Sequence, residues 1–456
     1  MTVVANKAKS ARSLRDGISP GSMNRLQLED RAAHDWYRFV LSFPPHLVWE
    51  YLHKFGVAPG DLVLDPFCGT GTTLVESKKR HIESIGVEAN PMAHFASVVK
   101  TTWDAPAGSL LAQAQAIAQK VRIALEANGV PDDHNLPLFS GTKKQGRPTL
   151  LTLPPEKMDL LLSGSISPVP LHKTLVLLHE IDQSMGITNR NFLGLAMASA
   201  LVQSVGNLHF GPEVGVGPPK GDAAVVAEWL RRVEAMAEDL VALYPHRKVA
   251  ANVLHADARN LSGLAQLLGS RKIAAVITSP PYPNEKDYTR TTRLESVILG
   301  FISDKAQLQG FKRTLMRSNT RNVYKGDDDG QWVASNAQVQ TLAKSIEARR
   351  LELGKTSGFE RMYAKVVELY FGGMARHLAA LRPFLQPRAM LAYVVGDQAS
   401  FFQIMIRTGT ILAQIAESLG YEVLALDLFR TRLATATRQQ LREEVLVLRW
   451  PGGNAR

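Results

Sequence analysis

The sequence predicts an α/β doubly wound domain on a mostly parallel sheet, interrupted by two long insertions. Short apolar runs bounded by turn residues recur along the chain, and helical patterns stand between them. Several of these runs end in a carboxylate. A run that is apolar on both sides suits a strand covered on both faces, the usual state of a parallel strand. Alternation of such strands with helices is the pattern of a doubly wound sheet.

Taken in order, residues 1–17, MTVVANKAKSARSLRDG, are basic and polar without the apolar core of a secretory signal, so a loosely held tail is expected. Strands are expected at 62–67 and 84–88, with helices at 72–79 and 91–100. The interval 104–250 is too long for a loop and should be a helical insertion. Helical stretches at 109–127 and 223–243 flank its loop-rich segment TKKQGRPTLLTLPPEK. Strands follow at 252–257 and 274–278. A second insertion, about 303–365, begins with FKRTLMRSNTRNVYKG, which carries Lys312, Arg313, Arg317, Arg321 and Lys325 and no acid. Residues 390–396, 422–429 and 443–450 read as the last strands, the final two joined by the polar stretch 430–442. Pro451, Gly452 and Gly453 close the fold.

With 456 residues, 45% of them apolar and 21% charged, the chain can bury a sizeable core. A formal net charge of +11 favours polyanionic partners, because neutralising a phosphate releases a condensed counterion. The single cysteine, Cys68, excludes a disulfide framework and a Cys-rich zinc site. The 12 histidines lack ligand spacing, so no metal is expected. No apolar run approaches the roughly 18 residues of a membrane span, and a cytoplasmic location is the expectation.

Four groups of residues carry chemistry. Asp65-Pro66-Phe67-Cys68-Gly69-Thr70-Gly71-Thr72-Thr73 follows the first strand and opens a helix, and its glycines let backbone approach a ligand closely. No lysine follows Gly71 as a Walker A loop requires, and Leu74 stands where a dinucleotide fingerprint wants its third glycine. Glu88 ends the next strand, placed to accept the ribose hydroxyls of an adenosine-bearing cofactor. Asp257 ends a third, where it would receive an adenine amino group. Last, Ser279-Pro280-Pro281-Tyr282 follows the strand at 274–278.

With that tetrapeptide the sequence resembles the amino-methyltransferases that modify N4 of cytosine or N6 of adenine in DNA. The resemblance covers the glycine motif, Glu88, Asp257, Ser279–Tyr282 and the stretch 36–52, which is similar to the family's helix over the cofactor's methionine end. It implies a class I S-adenosylmethionine-dependent methyltransferase fold, Rossmann-like, with a seven-stranded mostly parallel sheet and an antiparallel last strand. S-adenosylmethionine is the implied cofactor, held by Asp65, Phe67, Gly69, Gly71, Thr72, Glu88 and Asp257. Ser279, Pro280, Pro281 and Tyr282 are the implied catalytic residues. An exocyclic base amine is a poor nucleophile because its lone pair is conjugated with the ring. Two acceptors, Ser279 Oγ and the Pro280 carbonyl, would hold its protons and aim the lone pair at the methyl group. Tyr282 would stack on the flipped base.

Serine at position 279 favours cytosine N4 over adenine N6. The family's C5-methylating relatives place a cysteine in the catalytic loop, and none stands at 279–282, so Cys68 is expected to be structural. The expected substrate is double-stranded DNA, contacted through Lys312, Arg313, Arg317, Arg321 and Lys325. A cognate restriction endonuclease or other defence-system subunit is the protein partner the resemblance allows. Residues 284–290 would form a lid over the base or a solvent-exposed helix start. The expected partition is 1–104 with the cofactor motif, 105–250 as a mainly helical insertion for target recognition, and 251–300 with the catalytic motif. Residues 301–365 would be the DNA-contacting basic insertion, and 366–456 the C-terminal strands. The rival readings are an RNA methyltransferase acting on the guanine N2 amine of tRNA and a non-catalytic DNA-binding subunit.

Overall fold

The computed structural model describes residues 30–38, 43–132, 148–183, 186–210, 214–284, 286–433 and 440–453. The N-terminal tail and part of the TKKQGRPTLLTLPPEK segment lie outside them. Seven strands form the main sheet: β1 (Leu62–Asp65), β2 (Glu83–Glu88), β5 (Ala251–His255), β6 (Ile273–Thr278), β7 (Leu385–Gly396), β8 (Glu422–Leu433) and β9 (Gln440–Arg449). The remaining two, β3 (Leu208–Phe210) and β4 (Val214–Val216), form a separate antiparallel ribbon. The sheet order is β5-β2-β1-β6-β7-β9-β8, parallel from β5 through β7, with β9 antiparallel to both β7 and β8. This is the class I methyltransferase arrangement, and every strand expected from the sequence is present. Only the ends differ: β8 and β9 run further into the polar stretch 430–442 than expected, because their antiparallel pairing continues to Leu433 and Gln440.

Period-two burial explains the apolar runs. Leu62, Leu64, Leu391, Tyr393 and Val395 face one core, whereas Val63, Ala392 and Val394 face another. The first core is roofed by α9 (Leu264–Leu268), α13 (Ala337–Glu352), α14 (Tyr363–Leu381) and α15 (Thr408–Ser418). Against the opposite face lie α1 (Pro45–Lys54), α2 (Thr72–Lys79) and α3 (Pro91–Thr101). Two of these helices have starts legible in sequence. The Asn90 side chain accepts N–H bonds from Met92 and Ala93 ahead of Pro91, and α1 opens on Pro45.

The stretch between α3 and β5 is helical, as expected: α4 (Ala107–Ala127), α5 (Pro155–Met158), α6 (Pro168–Asp182), α7 (Ile187–Ala200) and α8 (Val225–Leu243). All of these helices but α5 share one hydrophobic core with Val75 of α2 and Met92, Ala96 and Val99 of α3. Between β6 and α13 lie α10 (Tyr288–Thr291), α11 (Arg293–Ile298) and α12 (Lys305–Thr314).

Candidate functional site

In a doubly wound sheet, ligands bind outside the carboxyl ends of the strands where the order reverses. Here that point lies between β1 and β6. Asp65 ends β1 and Ser279 follows β6, and the two strands are tied there by Thr278 Oγ1, which donates to Asp65 Oδ1 at 2.6 Å. Asp65 is fully buried, its other oxygen has no hydrogen-bond partner among the described residues, and burial pushes its carboxyl up to about 6.

The loop after Asp65 turns through two left-handed glycines, Gly69 at φ 52° and Gly71 at φ 84°. A side chain at Gly71 would also meet Ser97 Oγ at 2.5 Å, so this position is closed to other residues twice over. Gly69 N–H donates to Glu88 Oε2 at 2.8 Å and Asn90 N–H to Oε1 at 2.7 Å. Those bonds hold the Glu88 carboxylate beside the loop. Desolvation, ahead of the negative charge of Asp65, raises its pKa to about 7 against the pull of both N–H groups. Phe67 rests edge-on against His377 at 4.9 Å between ring centroids. Thr72 begins α2 and is buried. Asp65, Phe67, Gly69, Gly71, Thr72 and Glu88 therefore gather at one place, and the orphaned Asp65 oxygen and bare glycine backbone fit a cationic, adenosine-bearing cofactor.

Asp257 is engaged within the protein. It lies two residues beyond β5, and both its oxygens receive the Arg259 side chain, at 2.6 to 3.1 Å. Arg259 also reaches Asp329 Oδ2 at 2.6 Å and the Arg313 carbonyl at 3.0 Å. The Asp257 carboxylate is thus held in a bidentate ion pair while its side chain stays partly exposed. The partner of Asp257 is two residues on, and Asp329, 70 residues beyond Arg259, holds that arginine from the other side.

At the catalytic motif, Ser279 Oγ donates to the Val394 carbonyl at 3.2 Å. With its proton spent there, its lone pairs are left to act as acceptors. The Tyr282 hydroxyl turns to the same carbonyl at 3.5 Å, and its ring packs over Gly396, where a Cβ would meet Cε2 at 3.0 Å. Burial raises the Tyr282 phenol well above its ordinary range, so it stays protonated. Val394 and Gly396, which seat the motif, carried no sequence signal beyond belonging to a strand. Cys68 is buried against the bare backbone of Gly86 and lies 3.8 Å from Ser97 Oγ. Burial drives its thiol pKa upward, which suits a packing role.

The segment expected to be a lid starts α10 instead. Asp287 caps that helix by accepting from Thr289 N–H, and Thr289 is fully buried. The helix start of the alternative reading is thus present, but buried at Asp287 and Thr289 rather than solvent-exposed. Glu285 lies outside the described residues. In the stretch 36–52, Tyr37 donates to Glu295 Oε1 at 2.5 Å. Glu295 is fully buried on α11, with its other oxygen orphaned and its pKa raised to about 7 by burial.

The basic run divides. Arg313, Arg321 and Lys325 are exposed. Arg317 is not: it is 4% exposed, pairs with Asp327 at 2.8 Å and donates to the carbonyls of Lys312, Arg313 and Leu315. It clamps the end of α12 and is withdrawn from the DNA-contacting set. Lys312 is paired with Asp287 at 3.3 Å.

A protein-family model described as DNA methylase matches residues 23–97, a span that includes the glycine loop and Glu88. The Type II methyltransferase M.BsoBI of Geobacillus stearothermophilus is 22% identical over 440 residues, covering 90% of this chain and 83% of that protein. The Type II methyltransferase M.AvaI of Nostoc sp. is 28% identical over 190 residues, covering 39% of this chain and 38% of that protein. A solved rRNA methyltransferase, aviRa from Streptomyces viridochromogenes, aligns over 92% of this chain and 93% of that chain, with 12% identity and a TM-score of 0.32.

Proposed function

We propose that the chain is a DNA amino-methyltransferase and that it methylates the exocyclic amine of a base flipped out of duplex DNA, cytosine N4 ahead of adenine N6. The single observation that carries the reading is the meeting of the two motifs at the β1/β6 switch point, where Thr278 of the catalytic strand is bonded to Asp65 of the cofactor strand. S-adenosylmethionine, when bound, supplies a methyl group on a sulfonium, a good leaving group that needs no metal and no covalent intermediate.

The chain's own residues do the rest. Gly69 and Gly71 bring bare backbone to the cofactor, Glu88 accepts its ribose hydroxyls, and the orphaned Asp65 oxygen faces its positive end. Ser279 Oγ and the Pro280 carbonyl accept the two amine protons, which favours a pyramidal nitrogen with its lone pair directed at the methyl group. Pro281 stiffens the loop, and Tyr282 offers a ring face to the base. Cytosine N4 is preferred because position 279 is serine rather than aspartate. Arg313, Arg321 and Lys325, with Lys312 beside them, are the positive groups offered to phosphates. A restriction endonuclease acting on the same site is the protein partner that the Type II relatives suggest.

Expressing the chain in a methylation-free host and sequencing the DNA by a single-molecule method tests the proposal directly. N4-methylcytosine within one recurring motif is expected. N6-methyladenine would move the assignment to the other amine, and unmodified DNA accompanied by methylated RNA would overturn it.

A further inference from the structure

Segment 316–322 threads between the catalytic loop and α14. On one side, Asn284 N–H donates to the Ser318 carbonyl at 3.1 Å and Asn319 Nδ2 to the Lys286 carbonyl at 2.9 Å. Asn284 N–H also reaches the Tyr282 carbonyl at 2.8 Å, so the segment is one residue's bonding removed from the catalytic tyrosine. On the other side, Met316 packs onto α14 so closely that a Cβ at Gly373 would meet its sulfur at 2.5 Å.

Between these walls sit polar groups with no partners. Asn322 is fully buried, and neither its Oδ1 nor its Nδ2 finds a hydrogen-bond partner among the described residues. The same holds for Ser318 Oγ on the same segment and for the Tyr370 hydroxyl on α14, both fully buried. The Tyr370 hydroxyl is within electrostatic range of those of Tyr282 and Tyr288, which puts it on the catalytic side of α14. A buried amide lacking every bond costs free energy on folding, and such groups persist where a ligand completes them. Asp65 and Glu295, orphaned on the cofactor side, are the parallel case.

We propose that Asn322 reads the ring edge of the flipped base, with Ser318 and Tyr370 completing the polar lining. The inference rests on the amino-methyltransferase reading and adds to it the residue that recognises the base. When the amine is held at Ser279, the neighbouring ring nitrogen, N3 of cytosine or N1 of adenine, is an acceptor without a proton. Asn322 Nδ2 supplies the matching donor. Keto bases carry a hydrogen on that nitrogen and an oxygen in place of the amine, so they present the wrong groups to both Asn322 and Ser279.

The test is a double cycle on binding, with cofactor affinity and melting temperature as controls for folding. Wild type and Asn322→Leu are titrated with the cognate duplex and with one whose target is 3-deazacytosine, or 1-deazaadenine if sequencing identifies adenine. Removing the ring nitrogen should weaken wild-type binding about tenfold, the size of one buried hydrogen bond. Asn322→Leu should already show that loss and be indifferent to the deaza base. If Asn322→Leu melts early, Asn322→Ser, which is smaller and too short to reach the ring nitrogen, should give the same indifference. Equal deaza penalties in wild type and variants would overturn the role of Asn322 while leaving methyl transfer intact. Absence of any methyl transfer to DNA by the wild type would instead remove the reading beneath it.

Discussion

Glu88 is held by two backbone N–H groups yet keeps a pKa of about 7, because burial outweighs them. A carboxyl with a folded pKa above its unfolded value stabilises the protein fully below the unfolded value and loses that contribution as pH rises through the folded one. In the ligand-free protein, Glu88 therefore costs stability as pH climbs from about 4.5 to about 7, and Asp65 does so up to about 6. Ionised carboxylates are the forms that suit a cationic, hydroxyl-bearing cofactor. Affinity for S-adenosylmethionine should accordingly rise as pH climbs from about 6 to about 8, with the ligand-induced gain in melting temperature rising alongside. Glu88→Gln should flatten most of that dependence, and Glu88→Ala should weaken binding by about 1–3 kcal/mol, the usual loss of charge-assisted bonds. Calorimetry across this range that finds a flat profile in the wild type would take both acids out of the site. On the proposed function, Ser279 and Tyr282 act on the base instead. Ser279→Ala and Tyr282→Ala should leave cofactor affinity near wild type while crippling transfer, with stacking alone worth roughly 1–3 kcal/mol per base. Normal methylation rates in both variants would refute the catalytic assignment.

At the level of elements, what could be read in sequence was local. Strands β1, β2 and β6 announce themselves because both of their faces are buried, and Asn90-Pro91 marks a helix start by composition alone. Asp65, the glycine turn and Ser279 were legible because each follows directly on such a strand. The tie of Arg259 to Asp329 was not, since the two stand 70 residues apart. The segment 312–325 shows the same limit at shorter range. Its charges looked unopposed, but Arg317 folds back on Asp327 and Lys312 on Asp287 from the preceding loop. The two kinds of arginine should separate experimentally. Replacing Arg313, Arg321 and Lys325 by Gln should lower affinity for all duplexes and reduce the salt slope by about one for each phosphate left unneutralised. Arg317→Gln should chiefly destabilise the protein, because it leaves Asp327 without its buried partner. An unchanged salt slope in the triple variant would shift DNA binding to the helices between α3 and β5.

Across the whole molecule, neither insertion is an appended domain. The helices α4, α6, α7 and α8 complete a core that begins on α2 and α3. In the second insertion, Met316, Val333, Val339 and Ile346 join the core beneath α14. Asp329 lies so close to that helix that no side chain could replace Gly372, whose Cβ would fall 1.9 Å from the Asp329 carbonyl oxygen. Arg259 is the tie between sheet and insertion: it holds Asp257 at the end of the sheet, Asp329 at the turn before α13 and the Arg313 carbonyl at the end of α12. Asp329 keeps a second cation, Arg376 of α14, at 3.1 Å. Removing Arg259 would leave the partly exposed Asp257 unpaired and Asp329 with Arg376 alone, a loss of about 1.5–3 kcal/mol, the size of a hydrogen bond to a charged group. It would also free the end of α12, where the exposed Arg313 sits. Arg259→Leu should thus lower the melting temperature and weaken DNA binding together, although Arg259 itself is buried and cannot touch a phosphate. Because the cores are shared, wild type should melt in one transition that S-adenosylmethionine moves upward as a whole. Two transitions in the wild type, only one of them shifted by cofactor, would mean that an insertion folds independently and that Arg259 does not couple it to the sheet.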